Sequence, residues 1–131
     1  MLPLTAITLL MFGGLFVPLT EVLADVKIGT EGIDQINGTK TADTIYGNED
    51  GDNIRALQGN DIIYGEDGSD FLFGNSGGDL LYGGSGDDVL SGDIGGPNRG
   101  ADKFHCGPGN DEVLDFEPLE GDYQTDCEII N

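Results

Sequence analysis

Tryptophan is missing from this chain of 131 residues, and only 5 lysines and arginines stand against 25 aspartates and glutamates. A net charge of −20 excludes a surface that grips the phosphate backbone of nucleic acid, and it disfavours adsorption on anionic lipid. Histidine is present once, at His105. Gly74-Asn75-Ser76-Gly77-Gly78 matches the G-x-S-x-G nucleophile pattern, but a strand-to-helix elbow around it is lacking and the histidine is distant, so Ser76 reads as loop filler and no catalytic centre is expected. No stretch supplies the alternating ligands and closing glutamate of an EF-hand. Cysteine occurs twice, at Cys106 and Cys127.

What is abundant is order. Asp34, Asp43, Asp52, Asp61, Asp70, Asp79 and Asp88 fall nine residues apart without a break. Two residues after each comes a large aliphatic: Ile36, Ile45, Ile54, Ile63, Leu72, Leu81 and Leu90. Glycine opens most units, at Gly29, Gly38, Gly47, Gly65, Gly74 and Gly83. Six residues rich in Gly, Asn and Asp predict a tight loop, and the remaining three predict a very short strand whose middle residue points inward. One inward aliphatic per unit makes no core alone, so the units must stack as a coil of parallel strands. Two units make one turn of eighteen residues, which sets each aspartate about 4.8 Å from the next in its row. Carboxylates so placed repel one another, and a hard cation with oxygen ligands relieves the repulsion.

These units resemble the RTX, or haemolysin-type, calcium-binding repeat G-G-x-G-x-D-x-U-x. The fullest copies are GEDGSDFLF, GNSGGDLLY and GGSGDDVLS, from Gly65 to Ser91. The resemblance implies an all-β, right-handed parallel β-roll, a two-sheet solenoid that holds Ca²⁺ between successive loops on both edges. Some units depart from the pattern: Thr41 replaces a glycine, Asp50-Gly51 shifts one, Ala56 replaces an opening glycine and Ile33 puts an apolar residue in a loop. Sites on Asp34, Asp43 and Asp52 are therefore expected to be weaker than those on Asp61, Asp70, Asp79 and Asp88.

The ends differ from the middle. Residues 1–24 read as a secretory signal peptide, with an apolar stretch from Ala6 to Val17 and Val22-Leu23-Ala24 before Asp25, although no lysine or arginine precedes it. An uncleaved membrane anchor is the alternative. The roll is expected over 25–114, beginning with a worn rung in which Lys27 takes the inward slot. Near 95–99 an insertion interrupts it, after which Asp102 and Asp111 resume as ligands and His105 continues the column of Tyr46, Tyr64 and Tyr82. Up to about seven ions follow from pairing loops one turn apart. Residues 115–131 lose the repeat and are expected to cap the last rung, stapled by a Cys106–Cys127 disulfide in an exported chain. A zinc site from His105, Cys106 and Cys127 would want a fourth ligand.

The expected function is calcium binding coupled to folding in a secreted or surface-exposed protein, because a chain this acidic repels itself without metal. A structural or adhesive role is preferred, with the Tyr46/Tyr64/Tyr82 face meeting a partner or another copy. The alternative is a repeat-only relative of, or accessory to, a secreted haemolysin, protease or lipase. No stable membrane insertion is expected once the leader is removed.

Overall fold

The computed structural model describes residues 24–93, 100–118 and 121–130. The leader expected over 1–24, apart from Ala24, and the insertion expected near 95–99 lie outside the described residues. Strands follow one another along the chain: β1 (Asp25–Ile28), β2 (Gln35–Asn37), β3 (Asp43–Asn48), β4 (Asn53–Gln58), β5 (Ile62–Asp67) and β6 (Phe71–Ser76). Then come β7 (Leu80–Ser85), β8 (Val89–Ser91), β9 (Lys103–His105), β10 (Glu112–Val113), β11 (Tyr123–Thr125) and β12 (Ile129–Ile130).

Odd strands form one parallel sheet, β1-β3-β5-β7-β9-β11, and even strands form the other, β12-β10-β8-β6-β4-β2. Two strands and two loops make a turn, and the chain is a parallel β-roll with one hydrophobic seam between its sheets. Across the odd sheet the inward column runs Lys27, Ile45, Ile63, Leu81, Phe104, Gln124. Across the even sheet it runs Ile36, Ile54, Leu72, Leu90, Val113. Ile45, Ile54, Ile63, Leu72, Leu81, Leu90, Phe104 and Val113 are fully buried. Each such side chain contributes about 1.5–3 kcal/mol of transfer free energy, yet only one arrives per half-turn. The polar loops must therefore carry part of the fold.

Strands β3 to β7 have six residues each, longer than the three that the repeat predicts. Pairing continues past the opening glycine, as in Asn48↔Glu66↔Gly84 and Leu57↔Asn75. Every turn bends at the same place, so the bend does not break the hydrogen-bonded register.

Outer faces also align. Tyr46, Tyr64, Tyr82 and His105 stack nearly parallel at 4.8–4.9 Å between ring centroids. Their ring faces are thus turned on one another, with Ile62 and Leu80 in the neighbouring column. On the even sheet Arg55 lies over the ring of Phe73, 5.6 Å from its centroid.

Beyond β8 the pairing offset grows from 18 to 23 residues, as Leu80 pairs with Lys103 and Tyr82 with His105. The tail does not lie across the last rung as a separate lid. It adds β11 to one sheet and β12 to the other, so the cap is itself a turn of the roll. Cys106 and Cys127 are joined in a disulfide across this turn, and Phe116 packs edge-on against Phe104 at 6.4 Å.

Candidate metal centre

Each loop delivers one aspartate just ahead of the strand it feeds, so the aspartates gather in two columns, one along each edge of the roll. One column holds Asp43, Asp61, Asp79 and Asp102; the other holds Asp34, Asp52, Asp70, Asp88 and Asp111. Within a column the main-chain N–H of each aspartate donates to Oδ1 of the aspartate one turn on. These bonds measure 2.7–2.8 Å from Asp43 to Asp61 to Asp79 to Asp102. In the second column they measure 2.7–2.9 Å from Asp34 through Asp52, Asp70 and Asp88 to Asp111.

The second carboxylate oxygen is the informative one. Oδ2 of Asp52, Asp61, Asp70, Asp79, Asp88 and Asp111 is buried and has no hydrogen-bond partner among the described residues. A buried unpaired carboxylate oxygen is costly, and a proton or a cation bound there would relieve that cost.

Glycine makes that place. A Cβ at Gly65 would collide with Asp70 Oδ2 and with the main-chain carbonyl of Gly83 one turn on. At Gly47 it would meet Asp52 Oδ2 and the carbonyl of Gly65; at Gly83 it would meet Asp88 Oδ2 at 2.5 Å and the carbonyl of Cys106 at 2.6 Å. In these three loops a side chain on the opening residue has no room, because a carboxylate of its own loop and a carbonyl of the next turn close over it. The loops opened by Ala56 and Cys106 reach the same unpartnered Oδ2, at Asp61 and Asp111, without a glycine there. Among the described residues no three acidic, histidine or cysteine side chains converge on one point. An ion held here takes few carboxylates and completes its shell from main-chain carbonyls and water, a donor set that fits Ca²⁺ rather than zinc. The cysteines, joined to each other, leave no thiolate for zinc.

Burial raises these acids first, and the neighbouring carboxylates raise them further against the lowering effect of the N–H donated from the preceding turn. Asp61 and Asp70 are pushed up to about 6, and Asp79, Asp88 and Asp102 to about 7. Asp52 and Asp111 move in the same direction for the same leading cause.

Asp34 and Asp43 share the columns but not the vacancy around Oδ2. The amide and hydroxyl of Thr30 donate to Asp34 Oδ2 at 2.5 and 2.9 Å, and those of Thr39 donate to Asp43 Oδ2 at 2.6 and 3.0 Å. Asp52, grouped with these two by its shifted glycine, has instead the unpartnered oxygen of the interior loops.

Three acids of the tail join the scheme, and the nine-residue period does not find them. Asp122 Oδ1 accepts the N–H of Asp102 at 2.9 Å, and Glu128 Oε2 accepts that of Asp111 at 3.1 Å. Asp115 accepts the amides of Gly92 and Asp93 and the hydroxyl of Ser91. Asp122 and Glu128 stand 20 and 17 residues from their partners rather than 18. The remaining signal is local: an acid followed by a short strand. Ser76 ends β6 in the even sheet, whereas His105 lies in β9 of the odd sheet, where Nδ1 sits 2.6 Å from Thr125 Oγ1.

A family model made of four copies of the RTX calcium-binding nonapeptide repeat matches residues 28–63, 46–81 and 64–96. Together these matches cover more than half of the chain. No curated protein matches it.

Proposed function

The chain belongs to the RTX calcium-binding nonapeptide repeat family, and from that premise we propose that it takes up Ca²⁺ along both edges of the roll and completes its folding by doing so. The ligands in this reading are Asp52, Asp61, Asp70, Asp79, Asp88, Asp102 and Asp111, together with main-chain carbonyls of the adjoining turns. The observation that carries it is the set of six buried Oδ2 atoms without a partner among the described residues, four of which (Asp52, Asp70, Asp79 and Asp88) lie against the opening glycine of their own loop. A divalent cation neutralises the column and stabilises only the ordered chain, so folding and binding are linked. The biological setting that suits such a device is outside the cell, where calcium is plentiful, and the role is structural or adhesive rather than catalytic. Affinity is expected in the range of extracellular modules, about 10⁻⁴ to 10⁻³ M.

A calcium titration followed by circular dichroism tests this directly. The metal-stripped chain is expected to gain β signal cooperatively as calcium rises through the millimolar range. A spectrum that is already that of the folded roll in excess chelator, and that calcium leaves unchanged, would overturn the reading.

A further inference from the structure

We infer that Thr30 and Thr39 end the run of cation sites at its N-terminal side, their amides and hydroxyls standing in for the ion at Asp34 and Asp43. The inference rests on the calcium-binding reading above and narrows it.

The residue after the opening glycine decides which way the loop turns. In the loops opened by Gly47, Ala56, Gly65, Gly74, Gly83 and Cys106 the second residue is left-handed: Asn48, Leu57, Glu66, Asn75, Gly84 and Gly107 have φ between 74° and 113°. Two residues later the chain is left-handed again, at Asp50, Gly59, Gly68, Gly77 and Gly86. Thr30 and Thr39 occupy the first of these positions in their loops, and neither has positive φ; nor do Gly32 and Thr41 at the second. A β-branched side chain resists the left-handed region, so threonine selects another loop path. On that path the amide points at the aspartate, and the hydroxyl joins it.

The consequence is chemical. The one Thr39 hydroxyl proton lies between both oxygens of Asp43, with Oγ1 3.0 Å from Oδ2 and 3.1 Å from Oδ1. An ion arriving at Oδ2 of Asp34 or Asp43 would have to displace two donors already in place, whereas at Asp52 or Asp70 it meets an oxygen with none. The far end of the Asp43 column has the same character. There Asp122 Oδ2 accepts the main-chain N–H of Glu117 at 2.8 Å. Hydrogen-bonded carboxylates thus bracket the Asp43-to-Asp122 column at both ends.

The test is a crystal structure of the calcium-saturated full chain, with metal content measured on wild type and on the Thr30→Gly, Thr39→Gly double variant. Ions are expected between interior loops and none on Asp34 or Asp43, and the double variant is expected to bind more calcium than wild type. Calcium on Oδ2 of Asp34 or Asp43 in wild type, or a folded double variant with unchanged metal content, would overturn the inference. If that variant does not fold, Thr39→Asn serves in its place, since asparagine already occupies this position at Asn48 and Asn75. A chain that binds no calcium anywhere would sink the functional reading instead. In that crystal the inference would still fail if the Thr39 amide and hydroxyl had left the Asp43 carboxylate.

Discussion

The loops opening at Gly29 and Gly38 and those opening at Gly47, Gly65 and Gly83 place an aspartate in the same register but differ in backbone path and in what faces the carboxylate. In the first pair the protein supplies its own donors to Oδ2. In the second group it supplies none. The glycine that lets the aspartate fold over the loop is common to both, since a Cβ at Gly38 would also strike Asp43 Oδ2 and the carbonyl of Ala56. A repeat can therefore keep its place in the roll while one residue beside the opening glycine changes both its loop path and its chemistry.

The largest expected effect is that of pH on the interior acids. Interior acids have folded pKa values of about 6 to 7 against an ordinary value of 3.8, so between those limits the folded chain binds more protons than the unfolded one. Their contribution to the metal-free fold is therefore most favourable below the ordinary carboxylate range and is lost as pH rises through 6 and 7. Metal-stripped protein followed by circular dichroism should be more folded at about pH 5 than at about pH 8. With calcium the trend should reverse, because protons then compete with the ion. A metal-free fold that strengthens toward alkaline pH would show that these interior carboxylates are not destabilised by burial.

Next in size is Gly65→Val, whose side chain has nowhere to go but into Asp70 Oδ2 and the Gly83 carbonyl. In saturating calcium it should cost about 3 kcal/mol in urea denaturation. Gly32→Ala, whose nearest neighbour is Thr30 Oγ1 at 4.0 Å, should change stability by no more than about 0.5 kcal/mol. Equal losses would show that loop position, not the cradle, sets the sensitivity.

Removing the disulfide with Cys106→Ser and Cys127→Ser should cost about 3 kcal/mol or slightly less by loop entropy. Hydrogen exchange should localise the loosening to β11 and β12 and leave the loops at Gly29 and Gly38 as they were. Smaller than the disulfide's effect is that of Thr39→Val, which keeps the β-branch and removes one hydroxyl donor. A loss of about 1 kcal/mol is expected from thermal unfolding, with no loss at all arguing that the amide alone holds Asp43.

Much of this was legible in the residues. The phase of aspartate and aliphatic over seven units dictates two sheets, an inward column and two acidic edges, and the five-residue slip after Ser91 correctly aligns His105 with Tyr82. The six-residue strands were not legible, because pairing through a bend depends on every turn bending alike. Nor was the tail turn: Asp122 and Glu128 are recruited at offsets of 20 and 17, which a strict period rejects. The closing of Asp34 and Asp43 needed a backbone direction, which glycine counting at Thr41 and Ile33 does not supply. Threonine beside the opening glycine was the usable sign.

The pile of Tyr46, Tyr64, Tyr82 and His105 has one practical result. With tryptophan absent, near-ultraviolet optical activity comes mostly from tyrosine, and rings held face to face at about 4.8–4.9 Å couple their electronic transitions. That coupling exists only while successive coils stay superposed, so the molecule carries its own spectroscopic gauge of winding.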